Sequence, residues 1–254
     1  MSHGSISNDE FLPLLKTLAS ALPKRLLVVG DPGRVDTVLS HLANVAEISQ
    51  NREYRCAKGT FEGQEVGVVS HGIGYAGGGI CFEELCRSGA SRIIRVGSAG
   101  GMQDAVKSGD VVIATGAVRE DGLSHKLVPA TYPAIVSANV LTAMRAAAQS
   151  LGYSCHEGLV LTCDLFYPHD VLGSDLKLWR RAGIAAVEME CAALFVICSL
   201  CNVESGAVVA VDGNPLAQDD AAMNAYDPDK DSVRLAVDRS IRIALHAVIS
   251  ENSG

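Results

Sequence analysis

Short apolar runs alternate with amphipathic stretches along most of the chain. Arg25–Gly30, Glu65–Ser70, Ile93–Val96, Asp110–Thr115, Gly158–Thr162, Gly183–Val187 and Ala207–Val211 read as strands. Helical spacing fills Val35–Leu42, Ile80–Arg87, Leu141–Leu151, Cys191–Cys201 and Ser232–Ile249. Near-continuous Val, Ile and Leu runs mark strands covered on both faces. The alternation therefore predicts one domain over residues 1–254, a three-layer α/β/α fold with a central mixed, mostly parallel sheet. Residues 1–20 form a polar, then amphipathic, leading segment. Asn51–Arg55 is polar and starts a meander toward Glu65–Ser70. Residues 213–231 are long, polar and without apolar periodicity, and are expected to be a mobile active-site loop.

Composition narrows the classes. The chain has 254 residues, 48% hydrophobic and 20% charged, which suits one large α/β domain. A formal net charge of -8 and the lack of a basic run argue against a nucleic-acid partner. An anionic substrate would need a local cluster of arginines. No apolar run reaches membrane-spanning length and Met1–Ser7 is no signal peptide, so no membrane partner is expected. The eight cysteines lie mostly in apolar segments, the pattern of reduced thiols in a cytosolic protein, and a cytoplasmic location is expected. Cys198-Ser-Leu-Cys201 matches C-x-x-C spacing but lies in an apolar helical stretch with no second pair, and reads as core packing.

Arg95 stands inside an apolar run that ends Val96-Gly97-Ser98-Ala99-Gly100-Gly101. An arginine in a buried strand needs a partner. It either pairs with a structural carboxylate or builds an anion site at the carboxyl end of the strand, with Ser98 and glycine amides as further donors. Gly30-Asp31-Pro32-Gly33-Arg34 joins a strand to a helix start, where backbone N–H groups and Arg34 could receive phosphate oxygens. Gly72-Ile73-Gly74-Tyr75-Ala76-Gly77 matches G-x-G-x-x-G after a strand. The next strand, however, carries no carboxylate at its end, so a dinucleotide site is disfavoured. These glycines are expected to let the following helix approach the sheet. Asp164-Leu165-Phe166-Tyr167-Pro168 is an aromatic loop that could stack on a flat ligand or close over the core. Glu188 and Glu190 are costly at the mouth of an apolar helix unless used, and compensation of the helix dipole accounts for one of them. Asp212 ends the last buried strand.

Together these stretches, with Asn51-Arg52-Glu53-Tyr54 and Val187-Glu188-Met189-Glu190, closely resemble the hexameric purine nucleoside phosphorylases, most of all the apicomplexan-parasite type. The similarity runs from Leu26 to the final helix. It implies reversible cleavage of purine ribonucleosides such as inosine and guanosine by orthophosphate, giving free base and α-ribose 1-phosphate. The resemblance assigns phosphate to Gly30, Arg34, Arg95 and Ser98, with Arg52 reaching in from a neighbouring subunit. It assigns the ribose to Met189, Glu190 and His3, the base and sugar border to Phe166, Val187 and Glu188, and general-acid work at the base to Asp212. It implies no cofactor and no metal, orthophosphate being a co-substrate. It implies a homohexamer, a trimer of dimers with shared active sites.

Two features depart from that family. The segment ahead of Gly30 looks longer, which bears on His3, and Val211 stands where some bacterial relatives have serine. Rival readings are a uridine phosphorylase, a nucleosidase of the same fold and a non-enzymatic nucleoside-binding protein. His169-Asp170-Val171 lacks the glutamine and arginine pair with which uridine phosphorylases read a pyrimidine. The arginine cluster argues against water as the nucleophile. Preference among inosine, guanosine, adenosine and 5′-methylthio nucleosides stays open.

Overall fold

The computed structural model describes residues 10–216 and 230–251. The Val- and Ile-rich runs form the middle of a ten-stranded sheet: β3 (Arg25–Val29), β6 (Gln64–Ser70), β7 (Arg92–Gly101) and β12 (Glu204–Gly213). Parallel ladders join β6 to β3, β3 to β7 and β7 to β12. A second parallel set joins β8 (Val111–Glu120), β10 (His156–Cys163) and the short β11 (Ala186–Glu188). Antiparallel pairs link the two sets, β12 with β8 and β11 with β7. Strands β7, β12, β8, β10 and β11 thus close into a ring within the larger sheet. The hairpin of β4 (Ala43–Asn51) and β5 (Tyr54–Phe61) extends the sheet beyond β6, and β9 (Ala134–Ile135) adds to β8. A separate two-stranded piece, β1 (Phe11–Leu12) with β2 (Thr17–Leu18), precedes them.

Side chains alternate between the two faces of a strand, so residues three apart point to opposite sides. Strand β7 shows where each goes. Arg92 donates to the carbonyl of Ala247 (2.9 Å) in the C-terminal helix (Asp231–Ile249) and pairs with Glu204. Arg95 turns to the other layer and meets the start of α6 (Cys191–Leu200). The C-terminal helix, α1 (Pro32–Leu39) and α4 (Ala138–Ser150) share the first side, the turn just after α1 being tied to the C-terminal helix by His41 and Asp238 at 2.8 Å. Helices α2 (Tyr75–Arg87) and α6 pack together on the second, beside the short α3 (Ser124–Leu127). One further short helix, α5 (Leu176–Arg181), precedes β11. Helix α6 is buried from Cys191 to Cys198, as expected of a helix apolar all round.

Some boundaries depart from the sequence pattern. β7 does not end at its glycines but runs on to Gly101, because these residues are strand positions where a side chain would collide. A Cβ on Gly101 would lie 2.5 Å from the Val106 carbonyl, and one on Gly100 would lie 2.7 Å from Pro215. Helix α2 starts at Tyr75, ahead of the expected Ile80, and takes in three helical glycines. There a Cβ on Gly79 would stand 2.3 Å from Leu123. The polar stretch from Asn51 is the turn of a regular hairpin and the start of β5, and the outer strand β4 before it is largely exposed, so burial left little mark on the composition of β4.

Candidate functional site

Arg95 is 4% exposed and its guanidinium lies over Gly97, the next residue on its face of β7. It forms ion pairs with Glu190 and, at 3.3 Å, with Glu188. The structural carboxylate that the sequence did not disclose is therefore present, and there are two. Burial works against the charge on Arg95, but Glu190 and Glu188 keep the guanidinium protonated. Its Nε and Nη1 have no hydrogen-bond partner among the described residues.

The two glutamates have different jobs. Glu188 directs its carboxylate at the start of α6, accepting from the backbone N–H of Glu190 (2.8 Å) and of Cys191 (2.9 and 3.0 Å). The Thr162 hydroxyl donates to the same carboxylate at 2.5 Å and accepts the Ala192 N–H at 2.9 Å. Glu188, expected at the border of base and sugar, is thus committed to the positive end of a helix. Glu190 is held between Arg95 and the Gly74 N–H, which donates to Oε1 at 2.5 Å. Burial pushes the Glu190 carboxyl up. Arg95, His71 and that N–H outweigh it and hold the group below its ordinary range.

The glycine turn after β6 makes this arrangement possible. Gly72 and Gly74 have φ of 76° and 88°, a region that favours glycine, and this conformation brings the Gly74 amide to Glu190. Gly77 serves the close approach anticipated for the whole motif: a Cβ there would lie 3.1 Å from the His71 carbonyl. The residue that sequence reasoning missed is His71 itself. It is fully buried, with its ring edge-on to Phe82 at 5.2 Å. Burial, then the nearby Arg95 charge, push its pKa down to about 4. Its position between a buried strand and a G-x-G turn was the available signal.

At the neighbouring strand end the Arg34 guanidinium reaches the Val96 carbonyl (3.4 Å), which places it beside the second half of β7, where Ser98 is partly exposed. A Cβ on Gly30 would come within 3.9 Å of the His71 ring and 3.3 Å of the Gly72 carbonyl. Gly30, Arg34, Arg95 and Ser98 therefore share one region. The start of α1 is less open than its sequence implies. Asp31 caps it by accepting the Gly33 N–H (2.8 Å), the Arg34 N–H goes to the Asp31 carbonyl (3.0 Å), and Pro32 has no N–H. The amides of Gly33 and Arg34 are thus engaged within the turn itself.

Asp212 is 8% exposed and is the extra residue of a β-bulge: Val211 pairs with Ala99 and Gly213 with Gly100. A bulge re-aims a side chain at the end of its ladder. Val187 lies across from Gly100, where a Cβ would approach it to 3.3 Å, and Met189 follows at a partly exposed position before α6. Phe166 is 52% exposed and meets Tyr167 edge-on, with ring centroids 4.9 Å apart. Arg52 sits at the exposed tip of the β4–β5 hairpin with φ of 54°, while Glu53 folds against Gly72. His3 and residues 217–229 of the expected loop lie outside the described residues. Among the described residues no group of three His, Cys, Asp or Glu could hold a metal ion, and no helix is long and apolar enough to cross a membrane.

Residues 24–250 match the family described as the phosphorylase superfamily. The purine nucleoside phosphorylase of Plasmodium falciparum (isolate 3D7) is 39% identical over 240 residues, 94% of this chain and 96% of its own. The guanosine phosphorylase of Halorubrum lacusprofundi is 34% identical over 87% of this chain and 91% of its own. Among solved structures, the purine nucleoside phosphorylase of Toxoplasma gondii in complex with immucillin-H superposes with a TM-score of 0.88, at 29% identity, over 98% of this chain and 97% of that one. The uridine phosphorylase of Vibrio fischeri reaches 0.85 at 29% identity, over 96% and 98%. With relatives of matching length and a family match across nearly all described residues, the chain belongs to the phosphorylase superfamily.

Proposed function

We propose that this chain catalyses reversible phosphorolysis of purine ribonucleosides, inosine and guanosine among them. The observation that carries the reading is the pairing of Arg95 with Glu190. One guanidinium there adjoins both a phosphate region and a carboxylate suited to ribose hydroxyls. Phosphate, received by Arg34 and Arg95 with Gly30 and Ser98 beside them, attacks the anomeric carbon. The carbon–oxygen bond forms as the bond to the purine nitrogen breaks, giving α-ribose 1-phosphate. The transition state is oxocarbenium-like, and the phosphate charge beneath the ring balances it. Glu190, fixed by Arg95 and Gly74, accepts from the ribose hydroxyls, with Met189 against the sugar. The purine departs as an anion unless N7 is protonated, and the Asp212 carboxyl supplies that proton. Phe166 and Val187 border the base.

No cofactor enters this scheme. Arg52 on its hairpin tip completes the phosphate site of a neighbouring subunit in a homohexamer built as a trimer of dimers, His3 contributes to the ribose side, and the protein works in the cytoplasm. Base release from inosine, guanosine and uridine, each measured with and without orthophosphate, tests the activity. Release from the two purine nucleosides that depends on phosphate is expected. Faster cleavage of uridine would make this a uridine phosphorylase, and release that ignores phosphate would make it a nucleosidase.

A further inference from the structure

Among the described residues, the buried side-chain nitrogen and oxygen atoms without a hydrogen-bond partner number four: Nδ1 and Nε2 of His71 and Nε and Nη1 of Arg95. Buried polar groups are nearly always paired, so four orphans confined to two side chains call for a cause. The charges of Arg95 and Arg34 oppose protonation of His71, while Glu190 and the Gly72 backbone favour it. The His71 ring lies near Gly30 at the β3–α1 turn, where a Cβ on Gly30 would come within 3.9 Å of it. Phe82 packs edge-on against its ring. A neutral imidazole offers one donor and one acceptor. With two arginine charges acting on the ring and Gly30 near it, the group best suited to receive that donor is an anion.

We propose that His71 is a further residue of the anion site, donating a ring N–H to the phosphate that Arg95 receives; this rests on the phosphorolysis reading above. The Nε–H and Nη1–H of Arg95 and the one N–H that the neutral His71 ring carries are then left by the protein for the incoming oxyanion, while the other ring nitrogen is an acceptor and takes no part.

The test compares His71→Leu, which keeps bulk without hydrogen bonding, with Arg95→Lys and the unaltered enzyme. The measurements are KM for phosphate, KM for inosine and the rise in Tm on adding phosphate. His71→Leu is expected to raise KM for phosphate by about tenfold and to blunt the phosphate-induced rise in Tm, with KM for inosine little changed. An unchanged phosphate response, or a loss confined to inosine, overturns the inference. If Arg95→Lys impairs the phosphate response and His71→Leu does not, only the role of His71 fails. If neither does, the phosphorolysis reading fails with it. A crystal structure of the unaltered enzyme with orthophosphate decides the matter without any variant: an anion beyond hydrogen-bond reach of both ring nitrogens refutes the assignment.

Discussion

The guanidinium of Arg95 occupies the space that a side chain on Gly97 would need: a Cβ there would stand 1.6 Å from Nη1. The glycine is a steric requirement of the arginine's position. Gly97→Ala should therefore displace Arg95 from its carboxylates. Overpacking of a buried position costs about 1–3 kcal/mol. The variant is expected to unfold at lower denaturant and to need at least several times more phosphate to saturate. Unaltered phosphate kinetics would show that Arg95 acts from some other rotamer.

Arg95→Ala leaves Glu190 and Glu188 buried without their counter-charge. Breaking a buried pair costs about 3–5 kcal/mol, a large share of a domain's stability. The double variant Arg95→Ala/Glu190→Gln should recover much of the lost stability in urea unfolding but not the use of phosphate. Recovery of both would remove Arg95 from the anion site.

Acid should destabilise the fold through His71. The unfolded imidazole takes a proton near pH 6.5 and the folded one only near 4. The unfolded state thus binds more protons between those values, and stability falls as pH drops through that window, by about 2 kcal/mol at pH 5. Above pH 6.5 the effect is absent. His71→Leu should flatten the stability profile between pH 6.5 and 4.5. Glu190, lowered in the fold, acts in the same direction but below its ordinary value of 4.5, so the two effects separate on the pH axis. Parallel profiles for the two proteins would assign the acid sensitivity elsewhere.

Asp212→Asn retains size and hydrogen bonding but has no proton to give. General-acid catalysis is worth about 10²–10⁴-fold, and inosine turnover should fall by that order. A nucleoside already cationic at the base, such as 7-methylguanosine, should be much less affected. Equal losses on both substrates would make Asp212 a positioning residue.

The proposal that sites are shared between subunits makes a prediction about mixtures. On that proposal Arg52→Ala subunits would lack what a neighbour needs, and Asp212→Ala subunits what they need themselves. Randomly mixed dimers would regain roughly a quarter of intact sites. Verified mixed oligomers with no recovered activity would confine Arg52 to its own subunit.

Much of this was legible in the chain. The strands β3, β6, β7 and β12 announced themselves because burial on both faces demands unbroken apolar runs, and Arg95 stood out against one of them. The G-x-G-x-x-G motif was distinguishable from a dinucleotide site by the missing carboxylate. What stayed hidden depends on contacts distant in sequence. The apolar helix after them indicates that one of the two carboxylates serves its start, but nothing local shows that this is Glu188 while Glu190, two residues on, meets Arg95 and Gly74. Nor does spacing reveal that the Asp31 cap occupies the Gly33 amide of α1, or that the His71 ring is fully buried against Phe82. The exposed strand β4 carries little apolar pattern because only a covered face imposes one.

The ring of β7, β12, β8, β10 and β11 has a consequence for how such an enzyme can change. Arg95 and Gly97 lie on β7, Glu188 on β11, Thr162 on β10 and the Asp212 bulge on β12. In a closed circuit no strand can slip by one register without forcing its neighbours to follow all the way round. The separation of Arg95 from the Asp212 bulge is therefore set like the gauge of a track. Substrate preference can drift only through side chains and through segments attached outside the circuit, such as the exposed stretch from Asp164 to Asp175. Relatives that accept different bases could then share one sheet geometry while differing in that outer stretch, where tolerance to insertion and replacement is greatest.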